Sequence, residues 1–282
     1  MNRKALATVV IGDRYVSEWE RWFRPSWEAY GRKHGYDVIA IGDHIDPGPR
    51  GRARTPNWQK LLVLEAEQLA GYDDVVWVDA DILINHHSAP CIVTHHDSPL
   101  VGVVSDKLAL YSSEKRDTVV ARSAPLGGKK PRCADYYRDA GLPAGVDDYS
   151  NTGVMVLKPH HRAELRRVYD TAEETPFSAK EETPLSHHLH GNALVKPLDP
   201  RFNRIWSSAM IENYPWLSHM ACRRHPAGPM LVGLAVNAAW HNSWFLHFTD
   251  DRLEDGGQSF SLRNDVGFVM QHVSNIMEIS VG

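Results

Sequence analysis

Nowhere in this chain do apolar residues run to the ~18 to 20 in succession that a helix needs to span a bilayer, so a helical membrane protein is not expected. Cysteine is scarce. Cys91, Cys133 and Cys222 are odd in number, far apart and without paired spacing, which points to neither a disulfide framework nor a zinc site. Charge of one sign is nowhere massed, and a net charge of −4 argues against a dedicated nucleic-acid surface, although 16 histidines make the balance sensitive to mild acid. Internal repeats and low-complexity tracts are missing as well. The apolar stretch Ala5 to Ile11 is too short for a secretory signal, and with thiols of the reduced kind the chain reads as a soluble cytoplasmic protein.

What is present is enough apolar material for a substantial core, 43% of 282 residues, and a single catalytic domain is the simplest expectation. Ala5 to Ile11 reads as a buried strand, Gly12 to Tyr15 as a turn, and Ser17 to His34 as a helix whose Trp19, Trp22, Phe23, Trp27 and Tyr30 recur at helical spacing and belong to the core. Gly35 stops that helix and Tyr36 to Ile41 gives a second strand, so the opening is a right-handed βαβ unit in an α/β sheet. Asp43 to Pro56 is a loop, Trp58 to Leu69 a helix, and Leu100 to Val104 and Thr152 to Leu157 are strands. Ala124 to Pro131 reads as a surface loop, either a lid or an insertion. Arg162 to Thr171 and Phe177 to Leu189 are expected helices, and Trp244 to Phe248 a late strand.

The run Asp74 to Ile84 carries the chemistry, because it puts Asp79 and Asp81 at the end of an apolar strand. Alternate side chains of a strand share a face, so both carboxylates can enter one cleft. Bringing two carboxylates together is costly unless a cation neutralises them, and such hard oxygen ligands suit Mg²⁺ or Mn²⁺. Solvated turn residues at a strand end are the bland alternative. The αβ setting favours a site, since ligands of open α/β sheets bind beyond the carboxyl ends of strands.

Strand-turn-Tyr at the start, Asp-x-Asp after the third strand, Asn-x-Gly at a later strand and His-Phe-Thr near the end follow one another in an order that resembles the GT-A glycosyltransferases. The resemblance is nearest to the retaining group with glycogenin and the bacterial lipopolysaccharide galactosyltransferases, glycosyltransferase family 8, and spans Ala5 to Thr249. It implies a Rossmann-like, mixed but mostly parallel central sheet flanked by helices. It also implies a nucleotide- and metal-binding half over 1–105 and a sugar and acceptor half over 106–282. By the same resemblance Ile11, Gly12 and Tyr15 hold the nucleobase, Lys60 meets phosphate or sugar, and Asp148, Asn151 and Gly153 bind the donor sugar. Asp79, Asp81 and His247 would complete the metal site, and Glu181 and Glu182 stand where the family has an Asp-Gln pair facing the anomeric carbon. The family's Lys-Pro-Trp after the His is replaced by Asp250-Asp251-Arg252, so the resemblance does not carry over a diphosphate contact on that side.

The expectation is therefore a hexosyltransferase that needs Mn²⁺ or Mg²⁺, takes a nucleotide sugar, UDP-linked by resemblance, and serves a saccharide or small-molecule acceptor with retention. Trp206, Tyr214, Trp216 and Trp240 lie where aromatic faces line either an acceptor site or the core. Two alternatives share parts of the pattern. A noncatalytic nucleotide-sugar or carbohydrate-binding protein has the same fold. A haloacid dehalogenase-type phosphatase also uses Asp-x-Asp, but normally near the chain start. A sugar nucleotidyltransferase would need a Gly-rich phosphate loop after the first strand, which Gly12-Asp13-Arg14-Tyr15 does not supply.

Overall fold

The short apolar runs pair into a six-stranded sheet in the computed structural model, which describes residues 2–109, 133–174, 180–255 and 258–269. Its strands are β1 (Lys4–Val9), β2 (Tyr36–Ile41), β3 (Asp74–Val78), β5 (Val101–Ser105), β6 (Ser150–Leu157) and β7 (Val195–Pro197), in the order β2-β1-β3-β6-β5-β7. β1 runs parallel to β2 and β3, and β5 parallel to β7, while β6 lies antiparallel between β3 and β5. The opening βαβ unit and the strand at 152–157 are as expected, with β6 beginning two residues earlier. The expected lid or insertion at 124–131 lies outside the described residues. No helix among the described residues is long and apolar enough to cross a membrane.

Strand alternation sends side chains to two cores. Leu6, Val76, Val78, Val154 and Val156 pack with Phe23, Trp27 and Tyr30 on one face, and Ala5, Ala7, Val75, Trp77, Met155 and Leu157 with Trp58, Leu61, Leu165 and Tyr169 on the other. The aromatic stripe of the first helical segment is core, as expected. That segment differs in its start: it begins at Asp13, directly after Gly12, and passes through a π-helical turn at Trp19–Phe23 into the helix Arg24–His34. Trp58 to Leu69, read as one α-helix, belongs to two 3₁₀ stretches, Pro56–Glu65 and Glu67–Leu69. Every side chain from Trp58 to Leu64 is buried, so packing on all sides, not a period of 3.6, decides the local backbone.

The run Asp74 to Ile84 is not one strand. β3 ends at Val78, Asp79 to Asp81 make a turn, and β4 (Ile82–Ile84) enters a second sheet with β8 (Arg204–Ile205) and β9 (Phe245–His247), in the order β4-β9-β8. The exposed edge of β4 is closed by the helix Arg24–His34: Trp27 Nε1 donates to the Ile82 carbonyl at 2.7 Å, and Ser26 Oγ accepts from the Ile84 amide at 3.1 Å. Trp206 and Trp240, candidates for an acceptor site, are both core residues, whereas Trp216 is exposed.

Beyond β9 the chain forms a hairpin of β10 (Arg252–Asp255) and β11 (Gln258–Ser261), then a 3₁₀ turn, Leu262–Asp265. Asp265 is fully buried and anchors this turn by accepting from Trp206 Nε1 at 2.8 Å and from both terminal nitrogens of Arg223 at 2.9 and 3.0 Å. Removing one partner of such a pair leaves the other charge buried alone. Arg223→Met should therefore lower the unfolding free energy by about 3 kcal/mol, measured by denaturant titration, whereas a loss below about 0.5 kcal/mol would show that the anchor is redundant.

Candidate functional site

Asp79 and Asp81 meet where the chain passes from one sheet to the other. The Asp79 amide donates to the Gly153 carbonyl of β6 at 2.7 Å, and the Phe248 amide donates to the Asp81 carbonyl at 2.9 Å, so the turn is held by both sheets. The β4–β9 register pairs Ile82 with His247, which sets the imidazole beside Asp81. His247 Nε2 lies 3.2 Å from Asp81 Oδ1 and 3.9 Å from Asp79 Oδ2, and one ligand atom from each of the three residues falls within 4.8 Å of the others.

The imidazole is oriented from behind. Asn203 Nδ2 donates to the Asn151 carbonyl oxygen and to Asn151 Oδ1, which leaves Asn203 Oδ1 to accept from His247 Nδ1 at 2.9 Å. Nε2 is then the nitrogen presented to the two carboxylates. Burial alone would lower the His247 pKa, but Asp81 and Asp79 outweigh it and hold it above the ordinary value. Burial likewise works to raise Asp81, and His247 and Arg263 together bring it below the usual carboxylate range. Two carboxylates and an imidazole are a donor set that fits Mn²⁺ or Mg²⁺, with the ligand atoms at separations such an ion spans.

Lys60 reaches this cluster from the 3₁₀ stretch Pro56–Glu65. Its ammonium is buried, 3.1 Å from Asp79 Oδ1 and 2.9 Å from Glu181 Oε1. Desolvation opposes its charge, but the adjacent Asp79 and Glu181 keep it well above the ordinary lysine value. Trp77, on the same strand face as Asp79, donates from Nε1 to Asp79 Oδ1 at 2.7 Å. Glu181 is buried and its Oε2 has no hydrogen-bond partner among the described residues.

Glu182 stands differently. It opens the helix Glu182–Gly191, and both of its oxygens are engaged: Oε1 accepts from Tyr149 at 2.8 Å, and Oε2 from Asn151 Nδ2 at 2.7 Å and the Thr152 amide at 3.1 Å. Desolvation pushes its carboxyl up to about 7. Asn151 is equally committed: its Nδ2 donates to Glu182, and its Oδ1 accepts from the Gly153 amide and from Asn203 Nδ2. A Cβ at Gly153 would lie 2.5 Å from His247 Cε1, so the space at this glycine is taken by the imidazole and not kept for a ligand.

Asp148 stands apart from the cluster. Its carboxylate accepts from Ser105 Oγ at 2.5 Å and the Tyr149 amide at 2.8 Å, and it lines a separate cavity of about 820 Å³ with Lys107, His187 and His190. Ile11 and Gly12 follow β1, where Gly12 takes a φ of 98° that a side chain would strain. Tyr15 is half-exposed on the helix that follows, not in a turn. It reaches the cluster through Arg263, whose guanidinium carbon is 5.3 Å from the Tyr15 ring and whose Nη1 is 3.5 Å from Asp81 Oδ2. Arg263, Asn203 and Trp77 do not stand out in the sequence. Only the flanking position of Trp77 two residues before Asp79 was a local signal, because the other two come from distant elements.

Two outcomes follow from these contacts. Gly153→Ala should force His247 out of place, lowering stability by about 2 kcal/mol and weakening Mn²⁺ binding, read by thermal unfolding with and without the ion; unchanged metal-induced stabilisation would count against the packing account. A carboxyl whose folded pKa is raised contributes stability that is complete below its unfolded value of 4.5 and is lost as pH rises through about 7. Glu182→Gln should remove that slope, so that denaturant titrations show the wild type losing on the order of 2 kcal/mol relative to the variant between pH 5 and 8.

No protein-family model and no curated protein sequence matches the chain. Among solved structures, a glycosyltransferase involved in the glycosylation of the major capsid of PBCV-1 superposes with a TM-score of 0.52 at 12% identity, covering 93% of this chain and 98% of that one. The apo structure of the bifunctional glycosyltransferase WbbM gives 0.53 at 12% identity over 94% of this chain and 49% of that one, so this chain spans about half its length. At such identity the likeness is one of fold. The chain has the GT-A glycosyltransferase fold, with a mixed α/β sheet flanked by helices.

Proposed function

We propose that this protein is a metal-dependent glycosyltransferase that moves a hexose from a nucleotide sugar, UDP-linked, to a saccharide or small-molecule acceptor with retention of configuration. The observation that carries the reading is the convergence of Asp79, Asp81 and His247 Nε2 at the junction of two sheets, within 4.8 Å of one another. A divalent ion, Mn²⁺ or Mg²⁺, would supply there the positive charge that stabilises a leaving diphosphate. The nucleotide and metal half over 1–105 then holds Ile11, Gly12 and Tyr15 against the base, while His247 reaches in from the sugar and acceptor half.

The protein's own groups divide the remaining work. Lys60 fixes Asp79 and Glu181 relative to each other and adds a second positive charge near the phosphates. Positive charge grows on the sugar ring as its bond to the diphosphate breaks, and an anionic oxygen close to the anomeric carbon lowers that barrier. Of the two candidate glutamates, Glu181 has an oxygen to give, because Oε2 is unpartnered among the described residues. Glu182 is bound up with Tyr149, Asn151 and Thr152 and is better suited to hold the strand–helix junction. Asn151 and Gly153 act in this reading by positioning His247.

Calorimetric titration of UDP in the presence of Mn²⁺ and then of chelator tests the proposal. Binding that depends on the ion is expected, with Asp81→Asn abolishing turnover of UDP-sugars and weakening ion-dependent UDP binding while thermal unfolding shows a folded protein. Equal binding with chelator would remove the metal assignment. Binding of another nucleotide in place of UDP would change the donor, and failure of every nucleotide under both conditions would favour the noncatalytic reading.

A further inference from the structure

Arg263 is an unusual residue to find unspent. Its side chain is only 13% exposed, yet its contacts are long: Nε lies 3.3 Å from Glu18 Oε2 and Nη1 lies 3.5 Å from Asp81 Oδ2. Nη2 is buried without a hydrogen-bond partner among the described residues. A guanidinium carries five N–H donors in a planar fork, and leaving them unmet when buried is costly unless a ligand takes them. The turn that carries it is rigidly held by Asp265 against Arg223 and Trp206, so the side chain is aimed and not merely tolerated.

Its position is between two features of the site. On one side is the ring of Tyr15, 5.3 Å away, and on the other the carboxylate of Asp81. In any nucleoside diphosphate the phosphates join the base-bearing ribose to the metal-bound end, so a group lying between a base platform and a metal cluster lies along the phosphates. The nearer basic residue in sequence does not compete. Arg252 is 47% exposed and turned to its own hairpin, donating to Ser259 Oγ at 2.5 Å and lying 3.8 Å from Asp250. Asp251 is likewise engaged, accepting from Thr249 and Ser207.

We propose that Arg263 is the donor-binding residue for the diphosphate, gripping non-bridging phosphate oxygens with the free edge of its guanidinium. The inference rests on the nucleotide-sugar reading and adds to it a residue from the 3₁₀ turn Leu262–Asp265, beyond the hairpin that follows His247. The planar fork matches a phosphate pair better than an ammonium does, so Lys at this position restores charge without the bidentate contact.

Calorimetry with three probes, each with Mg²⁺, separates the possibilities: UDP, inorganic pyrophosphate and uridine, on wild type, Arg263→Ala and Arg263→Lys. Loss of roughly tenfold or more in affinity for UDP and pyrophosphate is expected in Arg263→Ala, with uridine unchanged and Arg263→Lys intermediate. Wild-type affinity for both anions in Arg263→Ala would overturn the proposal, as would an equal loss for uridine, which would make Arg263 a prop for Tyr15. If wild type binds pyrophosphate but not UDP, the nucleotide reading falls and the variants still decide the anion site; if it binds neither, both fall. Thermal unfolding checks each variant, and Arg263→Lys, which keeps the buried charge, carries the comparison if Arg263→Ala does not fold.

Discussion

Lys60 is the contact on which the site depends. Asp79 comes from a turn between sheets and Glu181 from the start of a helix, and these carboxylates approach the same buried point from different directions. Two anions cannot share a poorly solvated pocket without a counter-charge, and removing one partner of such a group leaves several kcal/mol of uncompensated charge behind. A single buried ammonium therefore ties together the 3₁₀ stretch Pro56–Glu65, the Asp79–Asp81 turn and the helix Glu182–Gly191. The unusual local backbone of Pro56–Glu65 is consistent with this, since its side chains from Trp58 to Leu64 are all buried, Lys60 among them.

The second constraint is the departure of the chain from the main sheet. Had β3 continued straight, Asp79 and Asp81 would share a strand face with no imidazole near. The Asp79 amide still makes the next ladder bond to the antiparallel β6, and because the chain then turns away, β4 is free to pair with β9. The antiparallel β6 brings Gly153, whose missing side chain admits His247, and the β9 register brings His247 itself. Asn203 then orients the ring. Strand pairing, a glycine and an amide thus convert two adjacent acids into a three-sided donor set.

Much of this was legible locally. The opening βαβ unit, β5, β6, the helix Arg162–Thr171 and β9 follow from apolar runs bounded by Gly, Pro and charge, and Asp79, Asp81 and His247 stood out by chemistry and order. The sequence places a turn over Gly12 to Tyr15, but Gly12 with its positive φ permits an immediate turn into helix at Asp13, which puts Tyr15 on a helix. Trp58 to Leu69 reads as α-helical from its composition, whereas burial of every side chain from Trp58 to Leu64 leaves no polar face to hold a period of 3.6. The aromatic residues of the second half looked equally fit for a ligand or a core, and only packing told Trp206 and Trp240 from the exposed Trp216.

By itself the sequence determined the α/β class, the paired acids and the kind of ion they suit, because strand alternation and carboxylate chemistry are properties of neighbouring residues. Which partners complete the site was decided by the tertiary structure alone. Lys60 and Arg263 reach the two acids from separate elements, Glu181 meets Lys60 and Asn203 orients His247, while Asn151 and Glu182 spend their polar atoms on each other, on Asn203 and Tyr149 and on the backbone. Such convergence depends on register and layer packing across more than a hundred residues, and no local pattern encodes which unpaired oxygen or guanidinium edge is left over when the buried groups have found their partners.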